Sequence, residues 1–312
     1  MAAGPSAAEA PATPAVTRPI LDQLDMPLGK RVRLHRLLYE RGLKNGTLLL
    51  LPIDQGLEHG PIDFFPNPPS QDPEFQWRLA LEGNYNGVAC HYGLARKYMA
   101  KYAGKVPLIL KINGKTTIPS DADAFSSLTG SVEDAVALGA DAVGYTLYVG
   151  SPRQDEDIQQ LAMVREDCDK YNMPLIVWSY PRGSAIEQKG GRDSLYAVDY
   201  AARVALEMGA DIVKLNIPKH GEKDAEQPGE YAGIEFDYGE GARRVVQSAG
   251  RCMVLFSGGS KLGDEDLLHK ARTAMEAGAT GLIFGRNMWQ RPYDEALAAT
   301  TSVMNVLREF GA

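Results

Sequence analysis

The 312-residue sequence is poor in cysteine and lacks the patterns that use it. Cys90, Cys168 and Cys252 are far apart, so they form neither a CxxC pair nor a disulfide framework. Such usage is typical of a chain that stays in a reducing compartment, and we expect a cytoplasmic location.

Metal-binding spacings are also missing. The five histidines and three cysteines form no HxH, HExxH or CxxC motif, so we expect a protein that needs no metal. The alternative is a metal site at which His59, His91 and His220 converge from separate loops.

Two further absences exclude whole classes of function. No apolar run approaches the roughly 18 residues that a membrane-spanning helix requires. Anionic side chains outnumber cationic ones, 40 against 33, and the formal net charge of −7 argues against general nucleic-acid binding. We therefore expect neither a membrane nor a nucleic acid among the partners.

The first 18 residues differ in composition from the rest. They are rich in alanine and proline and lack a basic segment followed by an apolar block, which is unlike a signal peptide. Their low hydrophobicity predicts a disordered tail. We expect residues 19–312 to form a single domain.

Short apolar runs recur through that domain at intervals of about one strand plus one helix. Because most are apolar throughout, they predict strands that helices cover on both faces. The runs are at residues 47–54, 87–91, 107–113, 141–148, 174–180, 211–216, 252–257 and 280–285.

The intervening segments have helical periodicity, as at 197–208 and 264–277. The junctions LGADAV, MGADIV and AGATGL resemble one another, as expected when a helix repeatedly leads into a strand. Eight such units predict a (β/α)8 barrel, with an extra helix at 31–41 before the first strand. The alternative is an open doubly wound sheet, but no GxGxxG follows the first strand. Two long segments, 60–73 and 220–241, follow strands and should lie on the functional face.

The sixth run contains a lysine at an informative position. Strand alternation places Lys214 opposite to Val213 and Leu215, which should face the helices, so Lys214 should point into the barrel. Burial lowers the pKa of such an amine and frees it to attack a carbonyl carbon. The alternative is a lysine paired with an internal carboxylate, and the strand alone does not decide between them.

Other polar side chains end neighbouring strands. Tyr180 could transfer a proton, or its hydroxyl could simply anchor the backbone. Asp54 could orient or deprotonate a substrate hydroxyl, hold the charge of the lysine, or merely cap a turn. After the last two strands, FSGGSK (256–261) and FGR (284–286) combine glycine turns with the cations Lys261 and Arg286, a pattern that favours phosphate binding over two ordinary turns.

Several longer motifs occur together in one order: IDQGLEHGP (53–61), LKINGKT (110–116), VWSYPRG (177–183), GADIVKLN (209–216), FSGGSK and FGRNMWQR (284–291). Through them the chain, from about residue 30 to 310, resembles the archaeal-type, DhnA-like class I fructose-bisphosphate aldolases. That resemblance implies a (β/α)8 barrel that cleaves fructose 1,6-bisphosphate to dihydroxyacetone phosphate and glyceraldehyde 3-phosphate through a Schiff base, with no cofactor.

The resemblance also implies roles for individual residues. Lys214 would form the Schiff base, Tyr180 would donate and accept protons, and Asp54 would contact the substrate. The implied substrate-binding residues are Trp178, which would shape the pocket, and the phosphate ligands Gly258, Gly259, Gly285 and Arg286. We also expect His59 and Ser257 to bind the substrate. Lys111, Lys115 and Arg182 are candidates for the second phosphate.

Relatives that share these motifs leave alternatives open. They include aldolase/transaldolase-type enzymes of aromatic amino-acid synthesis and enzymes that process phosphorylated autoinducer-2. A metal-dependent aldolase, a phosphate-binding barrel isomerase and a non-catalytic sugar-phosphate-binding protein are further alternatives. The resemblance implies a role in glycolysis or gluconeogenesis and a homo-oligomer such as a decamer.

Overall fold

The structure is a computed structural model that describes residues 18–311. The predicted disordered tail, apart from Arg18, lies outside the described residues, as does residue 312. The tail therefore stays a prediction.

Eight parallel strands form a closed barrel in which neighbours in the chain are neighbours in the sheet. They are β1 (Leu48–Pro52), β2 (Gly87–His91), β3 (Leu108–Lys111), β4 (Ala142–Val149), β5 (Leu175–Pro181), β6 (Ile212–Leu215), β7 (Met253–Ser257) and β8 (Gly281–Ile283). β8 pairs with β1, with Gly281 opposite Leu48, and this pairing closes the barrel. The predicted (β/α)8 barrel is confirmed, and the open doubly wound sheet is wrong.

Helices surround the barrel and close one end of it. They are α1 (Leu28–His35), α2 (Gln55–Glu58), α3 (Glu74–Glu82), α4 (Tyr92–Tyr98), α5 (Val132–Ala137), α6 (Gln154–Lys170), α7 (Ser184–Glu187), α8 (Leu195–Glu207), α9 (Tyr238–Ser248), α10 (Asp264–Glu276), α11 (Arg286–Trp289) and α12 (Tyr293–Arg308). The predicted extra helix begins earlier than expected, at Leu28, and continues as a π-helical turn, Arg36–Glu40. No helix within residues 18–311 is long and apolar enough to cross a bilayer.

The three similar junctions end their helices in the same way. Gly139, Gly209 and Gly278 have φ values of 68°, 86° and 95°, where glycine alone is free of strain. In the first junction, Ala140 donates its N–H to the carbonyl of Ala135, and Gly139 donates to Val136. This pair of bonds satisfies the last carbonyls of the helix and turns the chain toward the next strand.

Side chains of the strands alternate between an outer and an inner apolar cluster. In β6, Val213 and Leu215 pack among the helices, whereas Ile212 points into the barrel. Lys214 lies between Val213 and Leu215 in the chain and therefore shares the inward face. The predicted direction of this lysine is confirmed.

The inner cluster extends to the amino-terminal end of the barrel. Leu34, Leu37 and Leu38, from α1 and its π turn, pack on inward side chains of the strands. The ammonium of Lys30 connects α1 to the barrel, since its Nζ lies 3.1 Å from Asp211 and 2.8 Å from Asp169. The carboxylate of Asp211, just before β6, also accepts the N–H of Leu175.

Lys30→Met should destabilise the protein by about 3 kcal/mol, because it leaves the Asp211 carboxylate, whose side chain is only 12% exposed, without its counter-ion. Equilibrium unfolding in urea measures this. Arg31→Met is the matched control, since the partner of Arg31, Asp22, is exposed and such pairs contribute less than about 1 kcal/mol. Equal losses in the two variants would contradict the prediction.

Three long segments follow strands at the carboxyl end of the barrel. Residues 60–73 contain two 3₁₀ turns, Pro61–Phe64 and Pro68–Gln71. Residues 220–241 contain two more, Asp224–Glu226 and Gly229–Gly233, before α9 begins. The third, residues 114–131 after β3, was not predicted from the sequence; a two-residue pairing of Asn113–Gly114 with Ser127–Leu128 closes its base.

Candidate active site

A cavity of about 730 Å³ opens at the carboxyl end of the barrel. Nearly all of the predicted site residues line it, namely Asp54, His59, Tyr180, Arg182, Lys214, Ser257, Gly258, Gly259, Gly285 and Arg286. Trp178 and Lys111 do not lie on its wall. Because the wall residues come from the ends of β1, β5, β6, β7 and β8, closure of the barrel brings them together.

Lys214 lies on the cavity wall with only 6% of its surface exposed. Burial lowers the pKa of its amine to about 8, while the nearby carboxylates of Asp54 and Glu58 oppose the shift. Its Nζ lies 5.1 Å from the ring centre of Trp178 and 5.5 Å from that of Tyr180. Within residues 18–311 this nitrogen has neither a hydrogen-bond partner nor an ion-pair partner.

Two other buried lysines also have lowered pKa values, but their amines are hydrogen-bonded. Burial also lowers the pKa of Lys111 and of Lys270 to about 8. The Nζ of Lys111 donates to the Thr146 hydroxyl at 2.6 Å and to the Asn113 carbonyl, and that of Lys270 donates to the Gly258 carbonyl at 3.2 Å. Lys214 is thus the one of the three whose amine is available on the cavity wall.

Trp178 forms the layer below the cavity. Its indole is buried, and the Nζ atoms of Lys111 and Lys214 lie 5.2 and 5.1 Å from its ring centre. A Cβ atom on Gly144 would come within 2.7 Å of this indole, so glycine in β4 makes room for it. The predicted pocket residue therefore supports the lysine from inside the barrel.

Tyr180 stands beside Lys214 with its hydroxyl protonated. Burial raises the pKa of Tyr180 well above its ordinary value of 10, and the negative charges of Glu58 and Asp54 raise it further. Asp54 itself is 6% exposed at the end of β1. Glu58, one helical turn later in α2, was not singled out from the sequence, although its charge acts on both Lys214 and Tyr180.

One end of the cavity carries the two predicted glycine turns. Gly258 is confined, since a Cβ atom there would come within 2.4 Å of Asn287, and Gly259 has a φ of 71°. Arg286 follows the second turn and faces the cavity. Substitution of Gly258 or Gly259 would therefore alter the path of the backbone at this end of the cavity.

The cations at this end differ from the prediction. Lys261 turns away from the cavity and donates to the Gln290 carbonyl at 3.1 Å. Lys270 takes its place, because it reaches the wall from α10 and bonds to the Gly258 carbonyl. His59 lies near this end too, where a 2.6 Å contact with Asp63 raises the pKa of its imidazole.

The segments after β3 and β5 build the other side of the cavity. Arg182 and Arg192 line it there, together with Asp121. Lys115 pairs with Asp121 at 2.8 Å but is not on the wall. Asp121 and Arg192 were missed in the sequence because no strand ends at either of them.

The histidines do not assemble a metal site. His59 contacts Asp63, whereas His220 contacts Asp224 and the Phe236 carbonyl. Within the described chain, no group of three or more His, Cys, Asp and Glu side chains is arranged to hold a metal ion. The alternative of converging histidines is wrong.

Comparison with known proteins gives one consistent result. The model of the DeoC/LacD family of aldolases matches residues 48–291. The class 1 fructose-bisphosphate aldolase of Thermoproteus tenax is 42% identical over 249 residues, which are 80% of this chain and 85% of that protein. The enzyme of the same name from Halobacterium salinarum is 37% identical over 253 residues, 81% of this chain and 88% of that protein.

A solved structure is similar as well. It is an archaeal fructose-1,6-bisphosphate aldolase whose catalytic lysine is covalently bound to the carbinolamine intermediate of the substrate. Its TM-score is 0.74 at 39% identity, and the match covers 88% of this chain and 98% of that one. The resemblance seen in the sequence motifs is confirmed.

Proposed function

The chain belongs to the DeoC/LacD family of aldolases, and we propose that it is a class I fructose-bisphosphate aldolase with Lys214 as its Schiff-base residue. The observation that carries this proposal is the amine of Lys214, which is buried, unpaired within residues 18–311 and on the wall of the cavity. Its lowered pKa of about 8 leaves roughly a tenth of it neutral and nucleophilic at pH 7. The names of the T. tenax and H. salinarum relatives support the choice of substrate.

The first half of the reaction joins the sugar to the enzyme. The neutral amine of Lys214 attacks C2 of open-chain fructose 1,6-bisphosphate and forms a carbinolamine. Tyr180, which is protonated, gives its proton to the departing hydroxyl, so water leaves and an iminium remains. The nearby carboxylates of Asp54 and Glu58 stabilise that cation.

The second half breaks the carbon–carbon bond. The Tyr180 phenolate takes the proton of the C4 hydroxyl, the C3–C4 electron pair moves to the iminium, and glyceraldehyde 3-phosphate leaves. Tyr180 then protonates C3 of the enamine. Water adds to the new iminium with loss of its proton to Tyr180, and collapse of the carbinolamine releases dihydroxyacetone phosphate and the free lysine.

The phosphates hold the sugar in register with these groups. We assign the C1 phosphate to the Ser257–Gly259 and Gly285–Arg286 end, where Lys270 adds a cation. The second phosphate is assigned to Arg182 and Arg192 across the cavity. Binding at both ends fixes C2 over the lysine, which reduces the entropic part of the barrier.

A coupled assay with fructose 1,6-bisphosphate tests the function. We expect equal amounts of the two triose phosphates, activity that survives EDTA, and a borohydride-stable adduct of dihydroxyacetone phosphate on wild-type enzyme. Loss of activity with EDTA would point to the metal-dependent aldolase. An adduct without cleavage of this sugar would point to a related Schiff-base enzyme.

We expect kcat/KM to rise roughly tenfold between pH 7 and pH 9 and then to level off. The sign follows because only the neutral amine of Lys214 attacks, and its pKa of about 8 lies between these values. Initial rates at low substrate concentration across this range measure the profile. A rise that continues with the same slope to pH 10 would instead indicate an ordinary lysine.

Assembly and location belong to the same proposal. The resemblance supports a homo-oligomer, which light scattering can test. Cys90, Cys168 and Cys252 are free and buried, which agrees with a reducing, cytoplasmic environment. The aldolase names of the relatives support a place in glycolysis or gluconeogenesis.

A further inference from the structure

We propose that Asp121 is an internal anion that occupies the site of the second substrate phosphate and leaves it when that phosphate binds. Asp121 would then weaken the binding of the second phosphate, because a ligand anion must displace the carboxylate before it can bind. The inference rests on the proposed function for the identity of the ligand, a sugar bisphosphate.

Three cations converge on this one carboxylate. The Nζ of Lys115 lies 2.8 Å from Oδ1, whereas the Nε of Arg182 and an Nη of Arg192 lie 3.2 and 3.9 Å from Oδ2. They come from three separate segments: the one after β3, the end of β5 and the turn before α8. One carboxylate balances a third of their charge, so the cluster retains two positive charges, which suit a phosphate dianion.

The cluster has the right position for the second phosphate. Asp121, Arg182 and Arg192 all line the cavity that holds Lys214. The guanidinium of Arg182 lies 5.3 Å from the ring centre of Tyr180, so the cluster adjoins the reacting groups. β3 and β7 are four strands apart in an eight-stranded barrel, which places Asp121 across the cavity from Gly258 and Gly259.

Asp121 sits on a segment that can move without unfolding. We call residues 115–123 the strap. Its base is fixed, because Asn113–Gly114 pairs with Ser127–Leu128 and the Ala124 carbonyl accepts a bond from the Ser151 hydroxyl. Within the strap, the bonds to the rest of the described chain are the ion pairs of Asp121 with the two arginines and one N–H, from Thr117 to the Glu58 carbonyl.

The ion pairs of the strap are weak enough to exchange. The Asp121 side chain is 38% exposed, and ion pairs open to water contribute little net stability. A phosphate dianion brings twice the charge and more acceptor oxygens to the same cations. The apparent affinity for an anion at this site is therefore the intrinsic affinity multiplied by the fraction of time that the carboxylate leaves the site free.

Asp121→Asn tests this, because it removes the charge and keeps the size. We expect the KM for fructose 1,6-bisphosphate to fall about tenfold with little change in kcat, and no change for fructose 1-phosphate, which lacks the second phosphate. Asp121→Glu should behave like wild type. Asp123→Asn is the matched control, because Asp123 lies in the same 3₁₀ turn and has no ion pair within residues 18–311.

A merely structural ion pair predicts the reverse. If Asp121 only orients the arginines, Asp121→Asn raises the KM for the bisphosphate, and the proposal is overturned. Calorimetry with inorganic phosphate separates this test from the proposed function. Tighter binding of phosphate by the variant supports the internal anion even if the sugar is not cleaved, whereas unchanged binding alongside normal cleavage overturns the internal anion alone.

Discussion

Replacement of Lys214 by methionine is expected to lower kcat/KM for fructose 1,6-bisphosphate by a factor on the order of 10⁵ or more, as expected for loss of a nucleophile. Without the amine there is no iminium, and the C3–C4 electron pair has no acceptor. Folding should survive, because methionine removes a buried cation and fills similar space. The coupled assay measures the rate, and mass spectrometry after borohydride reduction measures the adduct.

Lys270→Met is the matched control for this experiment. Lys270 is also buried with a pKa lowered to about 8, but its amine bonds to the Gly258 carbonyl. This variant should bind substrate more weakly and still form the adduct on Lys214. An adduct that persists in Lys214→Met, mapped to Lys111, would show that the wrong lysine has been assigned.

Tyr180→Phe is expected to lower kcat by 10²–10⁴-fold, about the usual contribution of a positioned proton-transfer group. The tyrosine handles every proton in the proposed sequence, and its raised pKa makes it a donor at neutral pH. The adduct of dihydroxyacetone phosphate with Lys214 should still accumulate on standing, because the amine is intact. Steady-state rates and the yield of trapped adduct measure the two effects separately.

Tyr148→Phe controls for the loss of a buried hydroxyl. Tyr148 lies opposite Tyr180 in the register of β4 and β5 but is not on the cavity wall. Its replacement should leave kcat close to that of wild type. If both variants lost activity equally, the tyrosines would act through packing, and Tyr180 would have no place in proton transfer.

Much of the barrel and the centre of the site could be predicted, because the alternation of side chains along a strand shows which of them point into the barrel. Val213 and Leu215 require apolar neighbours, and with a period of two they leave Lys214 only the inward direction. Closure of a parallel barrel then collects the carboxyl ends of its strands, so Asp54, Tyr180 and the glycine turns meet at one cavity. Neither step needs knowledge of the loops.

The site residues that the sequence did not predict are placed by tertiary contacts, which the periodicity of helices and strands does not reveal. Lys270 lies on the buried face of α10. In the sequence, however, a lysine within a helix suggests a solvent-exposed position. Lys261, beside the glycine turn in sequence, instead reaches the Gln290 carbonyl. Asp121 lies in the strap, and its arginine partners are some sixty to seventy positions away in the chain. Outside helices and strands, proximity in the sequence therefore does not predict which charged side chains contact each other.

The three buried lysines also make the free energy of unfolding depend on pH. Each has a pKa near 8 in the native state and 10.5 ordinarily, so between these values the unfolded chain binds protons that the native chain does not. By linkage, each lysine contributes a rise in the free energy of unfolding of up to about 3 kcal/mol across that window. The buried cysteines, whose pKa values burial raises, contribute in the opposite direction.

Urea unfolding at pH 7.5 and 9.5 measures this rise, which should be smaller in Lys270→Met; an equal rise in the variant would contradict it. At neutral pH the lowered pKa of Lys214, which supplies the nucleophilic amine, therefore costs free energy of folding, and a ligand that binds the native state offsets this cost.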